Sequence, residues 1–457
     1  MNLLVKDKCF YKKMAVIAIP ISLQSMITIG VNMTDTVMVG KLGETSLSAT
    51  ALANQFVNIY QICCMGIAMG ASVLTSRFWG MQDIISLKKT ITLMLRLCIV
   101  LAVLFMLPTI LIPQLLMRMY TNDSAVIAQG VQYFKWMVYC YFLQGMTMTC
   151  TIVLRSVGQV NFPLFTSIGS FFVNILFNYM FIFGKLGVPR MEVEGAGVGT
   201  LIARVFEFSL ICGYFLFVDR KIGYRLKDLR MKCNSLIKDY VSISIPVFVS
   251  DSLLALGTSA VAMVMGRIGT GFVSANSITV VTQQLTTVII QGICHASCIM
   301  TGHTLGHGER EKAQQQAWTF LILGLVVGIL GGGLIKVLSR PIIGLYNITP
   351  ETAQIAGELM DAIAFIVIFQ SMNSILTKGV LRGGGDTKFL MVADIIFLWA
   401  ASLPLGILAG LVWHLDAFWI YVFLKIDQIC KSIWCVFRLR SGKWIKTFSK
   451  EKMNHAQ

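Results

Sequence analysis

Charged residues are scarce in this sequence. They make up 13% of the 457 residues, about half of the share that a soluble globular chain carries. Hydrophobic residues make up 56% of the chain and occur in long runs, each of about 20 residues or more, which is the length that crosses a bilayer as a helix. The shortage of charge therefore excludes a soluble globular domain and predicts an all-α polytopic membrane protein.

Several functional patterns are also missing. No alternation of polar and apolar residues recurs along the chain, which argues against a transmembrane β-barrel. The twelve cysteines are scattered without a CxxC pair and are predicted to be free, mostly buried thiols. No Walker A, HExxH or GxSxG sequence occurs, so neither ATP-driven transport within this chain nor an intramembrane enzyme is favoured. We expect no enzymatic activity, no cofactor and no metal site.

The hydrophobic runs define twelve predicted transmembrane helices. The amino-terminal segment is basic and then apolar, like a signal peptide. Its apolar run is too long, however, and no small-residue cleavage site follows, so it is interpreted as the first span. The predicted spans are 14–37, 47–74, 91–111, 126–153, 163–184, 195–218, 240–262, 273–300, 317–337, 353–379, 389–413 and 416–437.

The net charge of +16 does not indicate nucleic acid. Basic residues concentrate in alternate loops, above all in the segment 219–239. This distribution follows the positive-inside rule and predicts that both termini are cytoplasmic in a plasma (inner) membrane. The surplus charge is interpreted as contact with anionic membrane lipid.

The chain contains an internal repeat with an offset near 226 residues. Proline, glycine, arginine and tyrosine keep register across four separated stretches, in pairs that include Pro20 with Pro246, Gly40 with Gly266, Tyr120 with Tyr346 and Arg155 with Arg382. Because each repeat has an even number of spans, the two halves share one orientation, as in many secondary transporters. The sequence therefore predicts two pseudo-symmetric six-helix lobes, 1–218 and 240–440, joined by a cytoplasmic linker, 219–239, and followed by a cytoplasmic tail, 441–457. We expect a monomer.

Three motifs carry a resemblance to a known family. Pro20 is followed fifteen residues later by "DTVMVGKLG", "MYTND" precedes the fourth span, and "LRxxG" follows spans 4 and 10. With this spacing and span count, the chain resembles the multidrug and toxic compound extrusion (MATE) family. The resemblance implies antiport, in which Na⁺ or H⁺ enters while a small organic, often cationic, compound leaves.

Asp35 is the carboxylate of the first motif. An acid inside a span costs a few kcal/mol and is expected to face a cavity or a partner. Asp35 lies five residues before Gly40, about 7–8 Å inside the loop, near a helix carboxyl end where the dipole disfavours negative charge. An interfacial acid with solvent access is the alternative interpretation. The resemblance implies that Asp35 binds the coupling cation.

The resemblance also implies companions for Asp35. Family members often carry Asn-x-x-x-Asp in span 5, whereas this chain has Asn174 and Asn178. Asn178 thus replaces an expected acid, which leaves either a weaker Na⁺ cage that includes Thr200 or a proton taken up by Asp35. Interhelical hydrogen bonding is the alternative role for the two asparagines.

The carboxy-terminal half fits the family pattern less well. Asp251 lies five residues after Pro246, close to but out of the commoner register, and is predicted to contact substrate or ion. Gln55, Gln283 and Gln370 are further candidates for such contacts. Asp361 is interpreted as interfacial.

Other intramembrane charges are predicted mainly to pair between spans. Arg204 and Glu207 are three residues apart and can neutralise each other. Lys425 and Asp427 are two apart, so any partner is expected on a neighbouring helix. Asp394 and Lys378 have no partner that the sequence assigns.

Three local patterns have a functional and a structural interpretation. His303 and His307 have helical i, i+4 spacing but no third ligand in register, so metal binding is not favoured. The sequence "EGAGVGT", 194–200, resembles a nucleotide loop but lacks a preceding strand, so helix packing is favoured. Gly324, Gly328 and Gly332 form a small-xxx-small face that also predicts packing.

Other functions remain open at this stage. A lipid-linked oligosaccharide flippase of the related superfamily would favour more spans or a strongly cationic cavity. A channel or a non-transporting sensor is disfavoured by the two-lobe repeat and by Asp35. The sequence leaves the substrate and the coupling ion, Na⁺ or H⁺, undetermined.

Overall fold

The computed structural model describes residues 4–185, 187–344 and 348–447, and within these ranges the chain is helical and contains no strand. Tyr346 and residues 448–457 of the predicted tail lie outside the described residues. In chain order the helices are α1 Lys8–Gly40, α2 Glu44–Gly80, α3 Ile84–Leu111, α4 Pro113–Arg118, α5 Ser124–Ser156, α6 Asn161–Phe183, α7 Glu192–Gly213, α8 Asn234–Ile268, α9 Thr270–Gly306, α10 Arg310–Ile343, α11 Pro350–Ser374, α12 Thr387–Asp394, α13 Leu403–Ile407, α14 Ala417–Leu424 and α15 Ile426–Arg440.

Among the described residues, eleven helical segments are long and apolar enough to cross a membrane. The predicted span 416–437 is not one continuous helix, because α14 and α15 are separated at Lys425, whose φ of −120° is not helical. The predicted span 389–413 runs through α12, α13 and the π-helical segments Ile395–Ser402 and Leu408–Val412. The apolar run of span 12 is thus interrupted by polar residues at the break between α14 and α15, although hydropathy alone predicts one continuous helix.

The two halves of the chain share local structure. The first helix of each half carries an internal proline, Pro20 in α1 and Pro246 in α8, and neither helix ends there. The second helix of each half, α2 or α9, has 37 residues. Prolines inside long helices are tolerated in membrane proteins because neighbouring groups satisfy the freed backbone carbonyls.

Backbone proximity divides the described chain into two compact units. The amino-terminal unit comprises Leu23–Thr75 and Asp83–Ser244. The carboxy-terminal unit comprises the residues up to Ser22, the segment Ser76–Gln82 and the residues from Ile245 onward. The lobe boundaries at 218 and 240 stay a prediction from the sequence.

An aromatic cluster forms part of the core of the amino-terminal unit. The Tyr60 hydroxyl donates a hydrogen bond to the Tyr141 carbonyl at 2.5 Å, and the two rings meet edge to face with centroids 5.0 Å apart. Phe105 of α3 packs against Tyr60 at 5.3 Å. Edge-to-face pairs add to the stability from burial, so this cluster fixes α2, α3 and α5 against one another.

Glycines set the close approach of helices in both units. In "EGAGVGT", a Cβ on Gly195 would lie within 2.6 Å of the Phe181 backbone, so α7 can reach α6 only without a side chain there. In α10, a Cβ on Gly328 would lie 2.8 Å from the Ile368 Cα of α11. The packing role that the sequence favours for both glycine patterns is confirmed. All twelve cysteines are free thiols.

The basic segment 219–239 is anchored to α3. Lys88 pairs with Asp228 at 2.9 Å and also donates to the Gly223 carbonyl at 2.6 Å. Burial acts to raise the pKa of Asp228, but the Lys88 ammonium and the Arg225 backbone N–H together hold that pKa below its usual value. The segment is therefore held by specific contacts.

Candidate functional site

A cavity of about 370 Å³ opens within the amino-terminal unit. Its walls come from α1, α2, α5, α6 and α7. The lining is rich in uncharged polar side chains, which include Asn54, Asn58, Gln61, Gln144 and Ser167. A polar cavity inside a membrane unit is costly unless it holds water or a ligand, which makes this cavity the candidate site.

Asp35 lines the cavity from α1. The Asn178 amide of α6 donates to Asp35 Oδ1 at 2.6 Å and to Asn174 Oδ1 at 3.2 Å. Asn174 and Asn178 are one turn apart and both buried. One amide therefore links the carboxylate to the second asparagine, and the sequence-predicted trio forms one hydrogen-bonded group.

The approach of α7 completes this group. Gly199 lies so close to Asn178 that a Cβ there would be 2.8 Å from the Asn178 backbone nitrogen. The next residue, Thr200, lines the cavity beside Asp35 and Asn174. The structure thus brings all four predicted cation-site residues together.

Asn178 carries an unused acceptor. Its Oδ1 atom is buried and receives no hydrogen bond from the residues that the structure describes. Buried polar atoms are nearly always satisfied, so an orphaned oxygen needs an explanation. Together with Asp35, Asn174 and Thr200, it supplies an oxygen-rich donor set of the kind that takes a proton or a hard cation.

The rest of the lining could not be assigned from the sequence. Gln55 is exposed and does not line the cavity, whereas its neighbours Asn54 and Asn58 do. The Tyr133 hydroxyl donates to Asn54 at 3.2 Å. Polar residues occur on more than one face of α2. Which of them line the cavity depends on how α2 is rotated about its axis, and the sequence does not determine that rotation.

The predicted pair of Arg204 and Glu207 is confirmed, with 2.7 Å between Arg204 Nη1 and Glu207 Oε2. Both side chains line the same cavity as Asp35. A second carboxylate therefore stands in the cavity, on α7 and not at position 178, where the family pattern places it.

In the carboxy-terminal unit, Asp251 binds an arginine. Arg382 Nη2 lies 3.0 Å from Asp251 Oδ1, and Arg382 Nη1 lies 3.4 Å from Oδ2. The equivalent arginine of the first repeat, Arg155, donates to Gln24 Oε1 at 2.5 Å within the amino-terminal unit. Each half thus ties its "LRxxG" arginine to its own proline-containing helix, with a carboxylate in one half and an amide in the other.

Two predicted glutamines meet in the carboxy-terminal unit. Gln283 Nε2 donates to Gln370 Oε1 at 2.9 Å, and the Tyr421 hydroxyl donates to Gln283 Oε1 at 3.4 Å. The contacts link α9, α11 and α14. Hydrogen bonds of this kind between side chains on neighbouring helices stabilise helix packing in membranes.

A buried charge cluster explains two of the charges that the sequence left open, Asp394 and Asp427. Lys431 Nζ lies 3.0 Å from both Asp394 Oδ1 and Asp427 Oδ2. The expectation that Asp427 has its charged partner on a neighbouring helix is wrong, because Lys431 lies one turn further along α15 itself. Asp361 pairs with Lys336 at 2.5 Å and both side chains are exposed, so this pair lies at the surface of the unit.

The structure places no third metal ligand with His303 and His307 among the residues that it describes. Within the described part of the chain, no group of three His, Cys, Asp or Glu side chains could hold a metal ion. His303 is buried, and the His307 backbone N–H donates to the His303 carbonyl at 3.0 Å near the end of α9. His303 and His307 therefore belong to the carboxyl end of α9.

Comparisons with known proteins agree on one family. The MatE family model matches residues 20–180 and again residues 246–429, so the two matches begin at the two prolines of the internal repeat. The chain is 24% identical to a probable multidrug resistance protein NorM of Thermotoga maritima, covering 95% of this chain and 93% of the relative. It is also 24% identical to an uncharacterized transporter, YisQ, of Bacillus subtilis, covering 90% of both.

Solved structures show the same fold. The MATE transporter VcmN of Vibrio cholerae superposes with a TM-score of 0.86 at 16% identity, covering 95% of this chain and 97% of the other. A MATE structure in a straight conformation gives a TM-score of 0.84 at 18% identity, covering 94% and 96%. This fold has twelve helices in two lobes, which confirms the predicted fold class.

Proposed function

Because the chain belongs to the MatE family of membrane transporters, we propose that it is a secondary active efflux antiporter. It exports small organic, mainly cationic compounds in exchange for a cation. The relatives' names describe multidrug resistance proteins, which supports this substrate class. Export runs outward across a plasma membrane, with both termini on the cytoplasmic side.

The observation that carries the proposal is the position of Asp35. Its carboxylate faces a polar cavity, accepts a hydrogen bond from Asn178, and lies beside Asn174 and Thr200. A carboxylate placed in this way changes its charge when it takes up a cation. Uptake then biases two conformations only to the extent that the cation binds one of them more tightly.

A proton suits this site better than Na⁺. The Asp35 carboxylate receives an amide N–H, and the Arg204 guanidinium lines the same cavity. Both groups oppose any added cation, but a proton needs only one carboxylate oxygen, whereas Na⁺ needs several oxygen ligands around it at once. We therefore propose that H⁺ is the coupling ion and that Asp35 carries it.

The test is dye export under separately imposed gradients. In inside-out vesicles, a pH gradient should drive ethidium transport by the native chain, and a Na⁺ gradient alone should not. Asp35→Asn should abolish transport at normal protein level, because the variant cannot change its charge. Asp361→Asn is the matched control and should retain transport, since that acid lies in an exposed pair.

The outcomes separate the parts of the proposal. Full transport by Asp35→Asn would contradict the role of this residue. Transport driven by Na⁺ alone would replace the proton with Na⁺ and leave the antiport intact. The flippase alternative is not favoured, because the family model and the relatives' names point to multidrug transport.

A further inference from the structure

The cavity of the proposed transporter contains a second acid that the antiport scheme above does not use. Thr200, Arg204 and Glu207 are spaced i, i+4 and i+7 on α7, which places them along one face of the helix. All three line the cavity together with Asp35. Glu207 is the more deeply buried member of its ion pair, with 13% of its side chain exposed against 29% for Arg204.

The formal charges in the cavity do not balance. Among the described residues that line it, Asp35 and Glu207 are acidic, Arg204 is basic, and Tyr133 is the other titratable group. The helix α6, which packs against α7, contributes no charged residue. The helix α5, which also packs against α7, places the Cys140 thiol near Arg204 and pairs its Lys135 with Glu194 outside the cavity lining. The cavity therefore contains one guanidinium to neutralise two carboxylates.

Arg204 is within electrostatic reach of both acids. It pairs with Glu207 directly, and its charge also acts on the Asp35 carboxylate. Arg204 lies four residues from Thr200 and has a long flexible stem, so its guanidinium can move along the cavity wall while its helix stays in place. A buried carboxylate is costly without a partner, so the guanidinium is drawn to the acid that is charged and uncompensated.

We propose that Glu207 is the acid that binds the positive charge of the exported compound, and that Arg204 is an exchangeable internal cation that competes for it. When Asp35 is protonated, Arg204 pairs with Glu207 and excludes a cationic compound. When Asp35 has released its proton, Arg204 moves towards Asp35, and Glu207 becomes available to the compound. Proton and substrate then exclude each other through one guanidinium, without binding to the same carboxylate.

This inference rests on the proposed antiport and predicts an order of affinities. The probe is tetraphenylphosphonium, and its affinity for the purified full-length protein in detergent is measured by calorimetry. Asp35→Asn mimics the protonated acid and should weaken binding by about fivefold or more, the size of a typical coupling between sites. Adding Arg204→Gln to Asp35→Asn should restore the affinity, because the internal competitor is gone.

Two further variants identify the acid. Arg204→Gln alone should bind the probe more tightly than the native chain. Arg204→Gln combined with Glu207→Gln should lose that gain, and it should also be stable, because removing both members of a buried pair is usually tolerated. In the native chain, affinity should fall on acidification, and this pH dependence should be absent in Asp35→Asn.

A purely structural ion pair gives different results. In that case Arg204→Gln weakens binding or folding, and the double variant with Glu207→Gln recovers it. The inference is overturned if the double variant binds as tightly as Arg204→Gln, or if Arg204→Gln fails to rescue Asp35→Asn. Ser209→Ala, at an exposed position of the same helix outside the cavity lining, is the control, with native affinity and folding expected.

The proposed function can fail independently of this inference. If the native chain exports no cationic dye in the vesicle assay, the antiport is wrong. If it exports dye in an Asp35-dependent manner while Glu207→Gln with Arg204→Gln binds tetraphenylphosphonium as tightly as Arg204→Gln alone, only the role of Glu207 is wrong.

Discussion

Replacing Gly199 by alanine tests whether helix proximity builds the proposed cation site. The added methyl would clash with the Asn178 side-chain oxygen and would lie 2.8 Å from its backbone nitrogen and 3.1 Å from its Cα. The side-chain oxygen can rotate away, but the two backbone atoms cannot. The helices α6 and α7 must move apart, which shifts Asn178 relative to Asp35.

The size of the effect follows from two opposing terms. Alanine gains about 1 kcal/mol over glycine inside a helix, while overpacking a tight contact costs about 1–3 kcal/mol. Gly213 provides the matched control, because it lies in the same helix and a Cβ there would meet nothing within 4 Å. Relative to Gly213→Ala, we expect Gly199→Ala to be less stable by about 1–3 kcal/mol and to lose most of its dye transport.

The assay is thermal unfolding in detergent together with ethidium transport in vesicles. Gly213→Ala should unfold at or slightly above the native temperature and transport normally. The reasoning is refuted if Gly199→Ala matches Gly213→Ala in both measurements, since α6 and α7 would then tolerate the separation without loss of the site.

Two further predictions concern ion pairs. Arg382→Met should lower stability by about 3–5 kcal/mol, because it leaves Asp251 buried without its partner, and adding Asp251→Leu should recover most of the loss in thermal unfolding. Asp228→Asn should lower stability by up to about 1 kcal/mol at neutral pH, where the partly exposed pair with Lys88 is intact. Since the folded pKa of Asp228 is lowered, the contribution is present above its ordinary value and is lost as pH falls through the lowered value. The melting temperatures of variant and native chain should therefore converge in acid and stay apart at neutral pH; a constant difference would contradict this.

The sequence predicted the fold class and the first partners of Asp35 because those depend on strong signals. Long apolar runs specify spans, and Asn174 with Asn178 are one turn apart on any helix. The lining by Glu207 and the exposure of Gln55 depend on how each helix is rotated about its axis. In a membrane protein, lipid and core are both apolar, so the hydrophobic pattern does not fix that rotation.

The carboxy-terminal half shows a second limit. Lys425 interrupts what reads as one apolar span, and hydropathy averaged over a window does not register a single break. The link between Asp394 and Lys431 joins two helices that are distant in sequence, so no local spacing reveals it. The Asp427–Lys431 pair, in contrast, has i, i+4 spacing and could have been found by the helix rule.

The duplicated arginines show how a repeated fold can diverge in charge. Gln24 lies four residues after Pro20 and Asp251 lies five residues after Pro246, so the two arginines contact neighbouring positions of the repeated helix. In one copy the guanidinium keeps its full positive charge beside an amide; in the other a carboxylate cancels it. The repeated fold therefore does not determine the electrostatics of its two halves.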